Sequence, residues 1–180
     1  FSDIRKESFT LENSFYILIR LNYGTQFNEL ESNFKSLSTQ LKKSFSNLHI
    51  LKNSGSCVTL ALSSSSIISV FFIVNELICK KKTLLFSILI GFINESKFSL
   101  SISKRPYVQF ESDILQKFEI FILFLQRGNI AIESNISQLF PENFNNFSFE
   151  TFENHLISND HSFKLISFDN FTTLIDSSFQ

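Results

Sequence analysis

Methionine and tryptophan are absent from this chain, which has only four glycines, two prolines and two cysteines and no excess of either charge. Each shortage excludes something. Gly24, Gly55, Gly91 and Gly128 stand about thirty residues apart, whereas a dinucleotide fingerprint or phosphate loop needs two or three glycines within a few residues. No such loop is present. With two prolines, Pro106 and Pro141, there is also little material for tight turns. A net charge of −1 without a basic stripe leaves no field to collect phosphates along a backbone, so no nucleic-acid partner is expected. Cys57 and Cys79 are too few for a disulfide framework or a zinc site, and are expected to be two small buried thiols. They would lie at opposite ends of a helix, but would meet across a strand hairpin.

What is plentiful is phenylalanine, 24 residues, and serine, 29 residues, in a chain of 180 that is long enough to bury one ordinary core. Phenylalanine as first residue reads as a fragment, a processed product or a translated open frame. No cleavable signal peptide is expected at the start, because Phe1 to Arg20 carries charges through its apolar part.

The clearest periodic segment is Thr25 to Asn53. Phe27, Leu30, Phe34, Leu37, Leu41, Leu48 and Leu51 follow the three-four spacing of a helix stripe, with Thr25 as N-cap and Gly55 as stop. A packing helix is expected over 25–53, with self-association through its stripe as the functional alternative.

Asn53 to Asn75 holds 23 residues without a charge and is followed by Lys80, Lys81 and Lys82. A helix here would cover a hydrocarbon core of about 30 Å, so 57–79 is expected to contact a bilayer as a membrane-spanning segment. Ser63 to Ser66 weaken that expectation. Val58, Leu60 and Leu62 alternate as in a strand, and Ile67 to Val74 is rich in β-branched and aromatic residues. The main fold expectation is therefore mainly α with one membrane-spanning segment over 57–79. The alternative is a soluble α+β domain with strands near 58–62, 67–74 and 98–102.

Downstream, Thr83 to Asn94 is a second apolar run, too short to span. Lys97 to Ser103 alternates strictly, and a helix closed by Gly128 is expected from Asp113. Pro141 to His155 reads as a loop, and Phe163 to Ile175 is too short to assign. The expected organisation is one domain or membrane-anchored region over 1–128, followed by a loosely ordered region over 129–180.

Chemistry-bearing constellations are weak. His155 and His161 lie near Glu153 and Asp160, but no third ligand pattern accompanies them, so they read as solvated histidines. Ser56 lacks the flanking glycine of a nucleophile elbow, and Glu150 with Glu153 has no further support as a carboxylate pair. The Asn-x-Ser/Thr sequons at Asn94, Asn135, Asn146 and Asn170 are as many as chance supplies. No catalytic, metal or cofactor-binding residues and no cofactor are expected. The functional expectation is a non-enzymatic, membrane-associated protein localised to a membrane. The alternatives are a cytoplasmic α+β domain, a hydrolase on dispersed Ser, His and acidic residues, and a spurious translation without function. The last rests on the complement of Lys and Glu codons being rich in Phe and Leu.

Overall fold

A computed structural model describes residues 5–21, 39–54, 57–63, 66–80, 86–102, 107–110, 113–152 and 162–178. Its centre is an eight-stranded sheet. The strands are β1 (Arg5–Leu21), β2 (Leu48–Ser54), β3 (Cys57–Ser63), β4 (Phe86–Ile102), β5 (Tyr107–Phe110), β6 (Asn129–Glu133), β7 (Glu150–Phe152) and β8 (Phe163–Ser167). Their spatial order is β2-β3-β1-β4-β6-β8-β7, with β5 added along β4. β4 and β6 run parallel, joined through a helical crossover, and the other pairings are antiparallel.

Period-two alternation explains why these segments are strands. Phe15, Ile17 and Ile19 of β1 enter one core together with Val58, Leu60 and Leu62 of β3 and Ile88 and Ile90 of β4. Tyr16 and Leu18 point the other way, into a second core with Ala61, Leu89 and Ala131. The first face carries α2 (Ile67–Lys80), α4 (Glu142–Asn145) and α5 (Phe168–Ser178). The second carries α3 (Asp113–Phe121) and the 3-10 turn η1 (Ile122–Phe124). Burial on both faces accounts for the near-continuous apolar runs. Phenylalanine fills both cores: Phe71 lies 5.0 Å from Phe144 and 5.4 Å from Phe171, and Phe163 lies 5.0 Å from Phe121.

The mainly α expectation is corrected: the molecule is α+β. Residues 57–79 are not a span but β3 followed by α2, and 58–62 lie inside β3. β3 ends at Ser63 and α2 begins at Ile67, with the Ser69 amide donating to Ser66 Oγ at 3.4 Å. α2 has 14 residues, about 21 Å at 1.5 Å each, against a hydrocarbon core of about 30 Å. Among the described residues no helix is long and apolar enough to cross a membrane, which removes the ground for the bilayer contact and the membrane localisation.

The strand expected at 67–74 is helical as well. Ile67, Val70, Phe71, Val74, Leu77 and Ile78 are buried while Ile68 and Phe72 are exposed, a period of 3.6 that overrides β propensity. The helix expected over 25–53 is also corrected where it is described. Residues 39–44 are helical (α1), but Leu48–Ser54 is β2. Leu48 enters one core and Leu51, three positions on and so on the opposite face of the strand, enters the other, which lets two leucines three apart imitate a helix stripe. Residues 25–38 lie outside the described residues.

Phe86 to Asn94 of the second apolar run and Lys97 to Ile102 of the alternating stretch merge into the single strand β4, which contains 98–102. The helix expected from Asp113 ends at Phe121 and tightens into η1. Within 129–180, β6, β7 and β8 join the same sheet; η2 (Ser134–Leu139) and α4 sit between β6 and β7, and α5 follows β8.

Candidate functional site

Register brings a row of polar side chains to one end of the sheet, on the α3/η1 face. Arg20 is the partner of Cys57 on β3 and of Ser87 on β4. Ile88 pairs with Ile130, so Ser87 and Asn129 precede that pair side by side, and Asn129 faces Ser167 on β8. Alternation places this row opposite to Ile19, Ile88, Ile130 and Ile166, which enter the first core. The row therefore reads Cys57, Arg20, Ser87, Asn129, Ser167 across five strands.

Two features hold its shape. Arg20 Nη1 donates to the Leu123 carbonyl at 2.6 Å, so η1 fixes the guanidinium over the sheet end. The Gly128 amide donates to the Phe86 carbonyl at 2.9 Å, and the Phe168 amide to the Gly128 carbonyl at 2.8 Å, which ties β4, β6 and α5 together beside the row. Gly128 has φ of 78°, a left-handed conformation that glycine adopts without a Cβ penalty.

Thr59, the partner of Leu18, and Ser87 are fully buried, and neither hydroxyl has a hydrogen-bond partner among the described residues. Leaving such a group unpaired costs about 1–3 kcal/mol. The set offers a guanidinium, hydroxyls and an amide, which are donors suited to phosphate oxygens.

Two further polar groups lie on the same face. Burial pushes the Tyr16 phenol up from its ordinary range, and the nearby Ser96 hydroxyl offsets part of that. The two oxygens do not meet in hydrogen-bond geometry, so desolvation dominates. Glu133, at the far end of β6, is 5% exposed. Burial raises its carboxyl to about 7, offset in part by the Phe92 backbone N–H.

Of the residues weighed from sequence, His155, His161, Glu153, Asp160 and Ser56 lie outside the described residues. Glu150 is exposed on β7. Cys57 joins the row, half-buried, and Cys79 is exposed on α2 with its thiol 3.8 Å from Asn75 Oδ1, so neither is the buried thiol expected. Among the described residues no group of three His, Cys, Asp or Glu is placed to hold a metal ion. Arg20, Thr59, Ser87, Asn129 and Ser167 carry no sequence motif, and only the pairing register brings them together.

No family model and no curated protein matches this sequence. Solved structures do match the fold. The catalytic core of a rhodopsin-guanylyl cyclase with converted specificity, solved with ATPalphaS, superposes with a TM-score of 0.66 at 10% identity. That match covers 89% of this chain and 98% of that one. The guanylate cyclase domain of RhGC from Catenaria anguillulae, solved with GTP, gives 0.60 at 9% identity over 87% and 95% of the two chains. A dimeric guanylyl cyclase domain of the RhoGC fusion protein from Blastocladiella emersonii gives 0.60 at 8% over 91% and 98%.

The chain folds like nucleotide cyclase catalytic domains. This finding runs against the non-enzymatic expectation, because these solved structures are catalytic domains. It also overturns the reading as a spurious translation: an inverted gene has no reason to build this sheet over nearly the full length of a catalytic core. Neighbours of the fold include a dimer, which is consistent with self-association.

Proposed function

We propose that the chain is a nucleotide cyclase domain that takes a purine nucleoside triphosphate and closes it to a cyclic nucleotide. The observation that carries this reading is the overlap with 98% of a cyclase catalytic core at a TM-score of 0.66. The polar row supports it at the level of chemistry. Arg20 neutralises phosphate charge, and the Asn129 and Ser167 side chains donate to phosphate oxygens. In the reaction the ribose 3′-oxygen bonds to the α-phosphorus, the bond from that phosphorus to the bridging oxygen breaks, and pyrophosphate leaves. The 3′-hydroxyl proton goes to solvent. The row holds the triphosphate in line for this displacement, and orientation is a large share of what phosphoryl chemistry asks of a protein.

The domain works as a pair. α3 and η1 expose Ile114, Ile120, Leu123 and Phe124, and Leu123 and Phe124 are 54% and 53% exposed beside Arg20. Exposed large apolar side chains on these two elements suit an association surface. It replaces the 25–53 stripe as the self-association surface.

Incubation with the magnesium salt of ATP or GTP, read by chromatography, tests the reading. Cyclic nucleotide and pyrophosphate are expected in equal amounts. Arg20→Ala is expected to lower the rate by roughly tenfold or more, as loss of a charge-assisted contact to phosphate does. A folded protein that neither binds nor converts either nucleotide overturns it.

A further inference from the structure

Beyond the polar row, one carboxyl group is enclosed on the second face. Ile90 of β4 pairs with Ile132 of β6, so Gly91 and Glu133 come next, side by side, and Gly91 lies beneath the Phe118 ring. Ala131 points into the second core, and alternation turns Glu133 to the same face. On its other side Glu133 is the partner of Phe163 on β8, and Phe118 and Phe121 of α3 meet Phe163 edge-on at 5.9 and 5.0 Å. The buried Glu133 carboxyl accepts the Phe92 N–H where β6 stops and β4 runs on. The same cluster seats the turn that holds Arg20. α3 passes directly into η1, buried Ile122 and Leu125 press that turn onto the sheet, and the Leu123 carbonyl between them accepts from Arg20 Nη1 at 2.6 Å.

We propose that Glu133 is a positioning residue for Arg20: its uncharged carboxyl keeps α3 and η1 seated on the sheet, and its ionisation shifts them. The inference rests on the reading of Arg20 as a phosphate-binding residue. An ionised carboxylate beside phenylalanine rings has given up its water, and the rings return no hydrogen bond for it. Water reaches it when α3 moves off Phe163, and a packed chain of side chains carries that movement through η1 to Arg20. Burial raises the carboxyl from 4.5 to about 7, so the seated, protonated form is favoured at low pH and is lost as pH rises. A shift that admits water lowers the pH of ionisation, which puts the midpoint between those two values. Other ionisable groups stand on the surrounding elements. Glu95 and Lys97 of β4 and Glu150 of β7 are exposed, and Lys164 of β8 lies on the first face, 5.6 Å from the Phe149 ring centre. Lys117 and Glu119 of α3, opposite in charge, flank Phe118, and Tyr16 of β1 is held neutral by burial.

The folded parent and Glu133→Gln are followed by NMR without nucleotide from about pH 5 to about pH 8. In the parent, the amides of residues 115–125 and the Arg20 Nε–H are expected to pass through one transition with its midpoint between 4.5 and 7. In Glu133→Gln, whose amide has the shape of the uncharged acid, they are expected to stay at the parent's low-pH positions. Triphosphate turnover by Glu133→Gln is expected to match the parent at about pH 5 and to exceed it about fivefold at about pH 8. Parent resonances that do not move, a transition that survives Glu133→Gln, or a turnover ratio that stays level with pH overturns the proposal. A transition at 115–125 and at Arg20 with no turnover of ATP or GTP upholds the positioning role and overturns the cyclase reading alone.

Discussion

Gly91 of β4 lies directly beneath Phe118 of α3, and a Cβ at that position would overlap the Phe118 ring. Phe118 is fully buried and its ring centroid is 5.9 Å from that of Phe163, so it has little room to give way. Gly91→Ala is therefore expected to destabilise the fold by about 1–3 kcal/mol, read as a lower urea midpoint. Glu133 makes stability depend on pH. Its folded carboxyl titrates at about 7 against an ordinary value of 4.5, so the folded state holds a proton that the unfolded chain has released. Its contribution is full below 4.5, falls as pH rises between 4.5 and 7, and is lost above that, with a span of about 3 kcal/mol. Chemical denaturation at pH 5 and pH 7.5 is expected to show this slope, and Glu133→Gln to flatten it. A neutral amide keeps the shape of the protonated acid without an ionisation to suppress.

At the scale of elements, α2 shows why the apolar stretch after Cys57 resists reading by eye. It joins a strand buried on both faces to a helix buried on most of its surface, and such segments share one composition while differing in period. Ile68, Phe72, Glu76 and Cys79 mark the helix's outer face, and the first two, exposed at 39% and 42%, are large apolar side chains. Phe71 anchors α2, meeting Phe140, Phe144 and Phe171. Phe71→Ala is expected to cost about 3–5 kcal/mol by leaving a cavity among three rings. A measured loss below 1 kcal/mol would mean that α2 does not hold α4 and α5 in place. The alternation around Val58 to Leu62 and Phe98 to Ile102 was legible because each face of a strand answers to its own core. The β2 segment was not, because Leu48 and Leu51 serve opposite cores at a spacing that equally suits one face of a helix.

For the whole molecule, the decisive surface is the exposed side of α3 and η1. Leu123→Ser combined with Phe124→Ser is expected to shift a self-associating species towards monomer in analytical ultracentrifugation while leaving the far-UV spectrum unchanged. Both side chains are more than half exposed, so their replacement leaves the core intact. If pairing supports catalysis as proposed, the same variant loses turnover in step with its loss of the paired species.

The residues of the polar row span positions 20 to 167 with no spacing that a motif search would find. Arg20 is an ordinary charged residue near a strand end until β1 pairs with β3 and β4, and Ser87 and Ser167 are two serines in a chain crowded with hydroxyls. What the sequence determined by itself is local: alternation at 58–62 and 97–103, the absence of glycine-rich phosphate loops, and a phenylalanine supply large enough for two cores. Tertiary structure alone decided that the chain is α+β, that the uncharged run is a strand and a helix rather than a span, and that five separate polar residues share one row. The physical reason is that register and layer packing are long-range properties. Each strand's face, and so each side chain's neighbours, depends on strands as far as a hundred residues away.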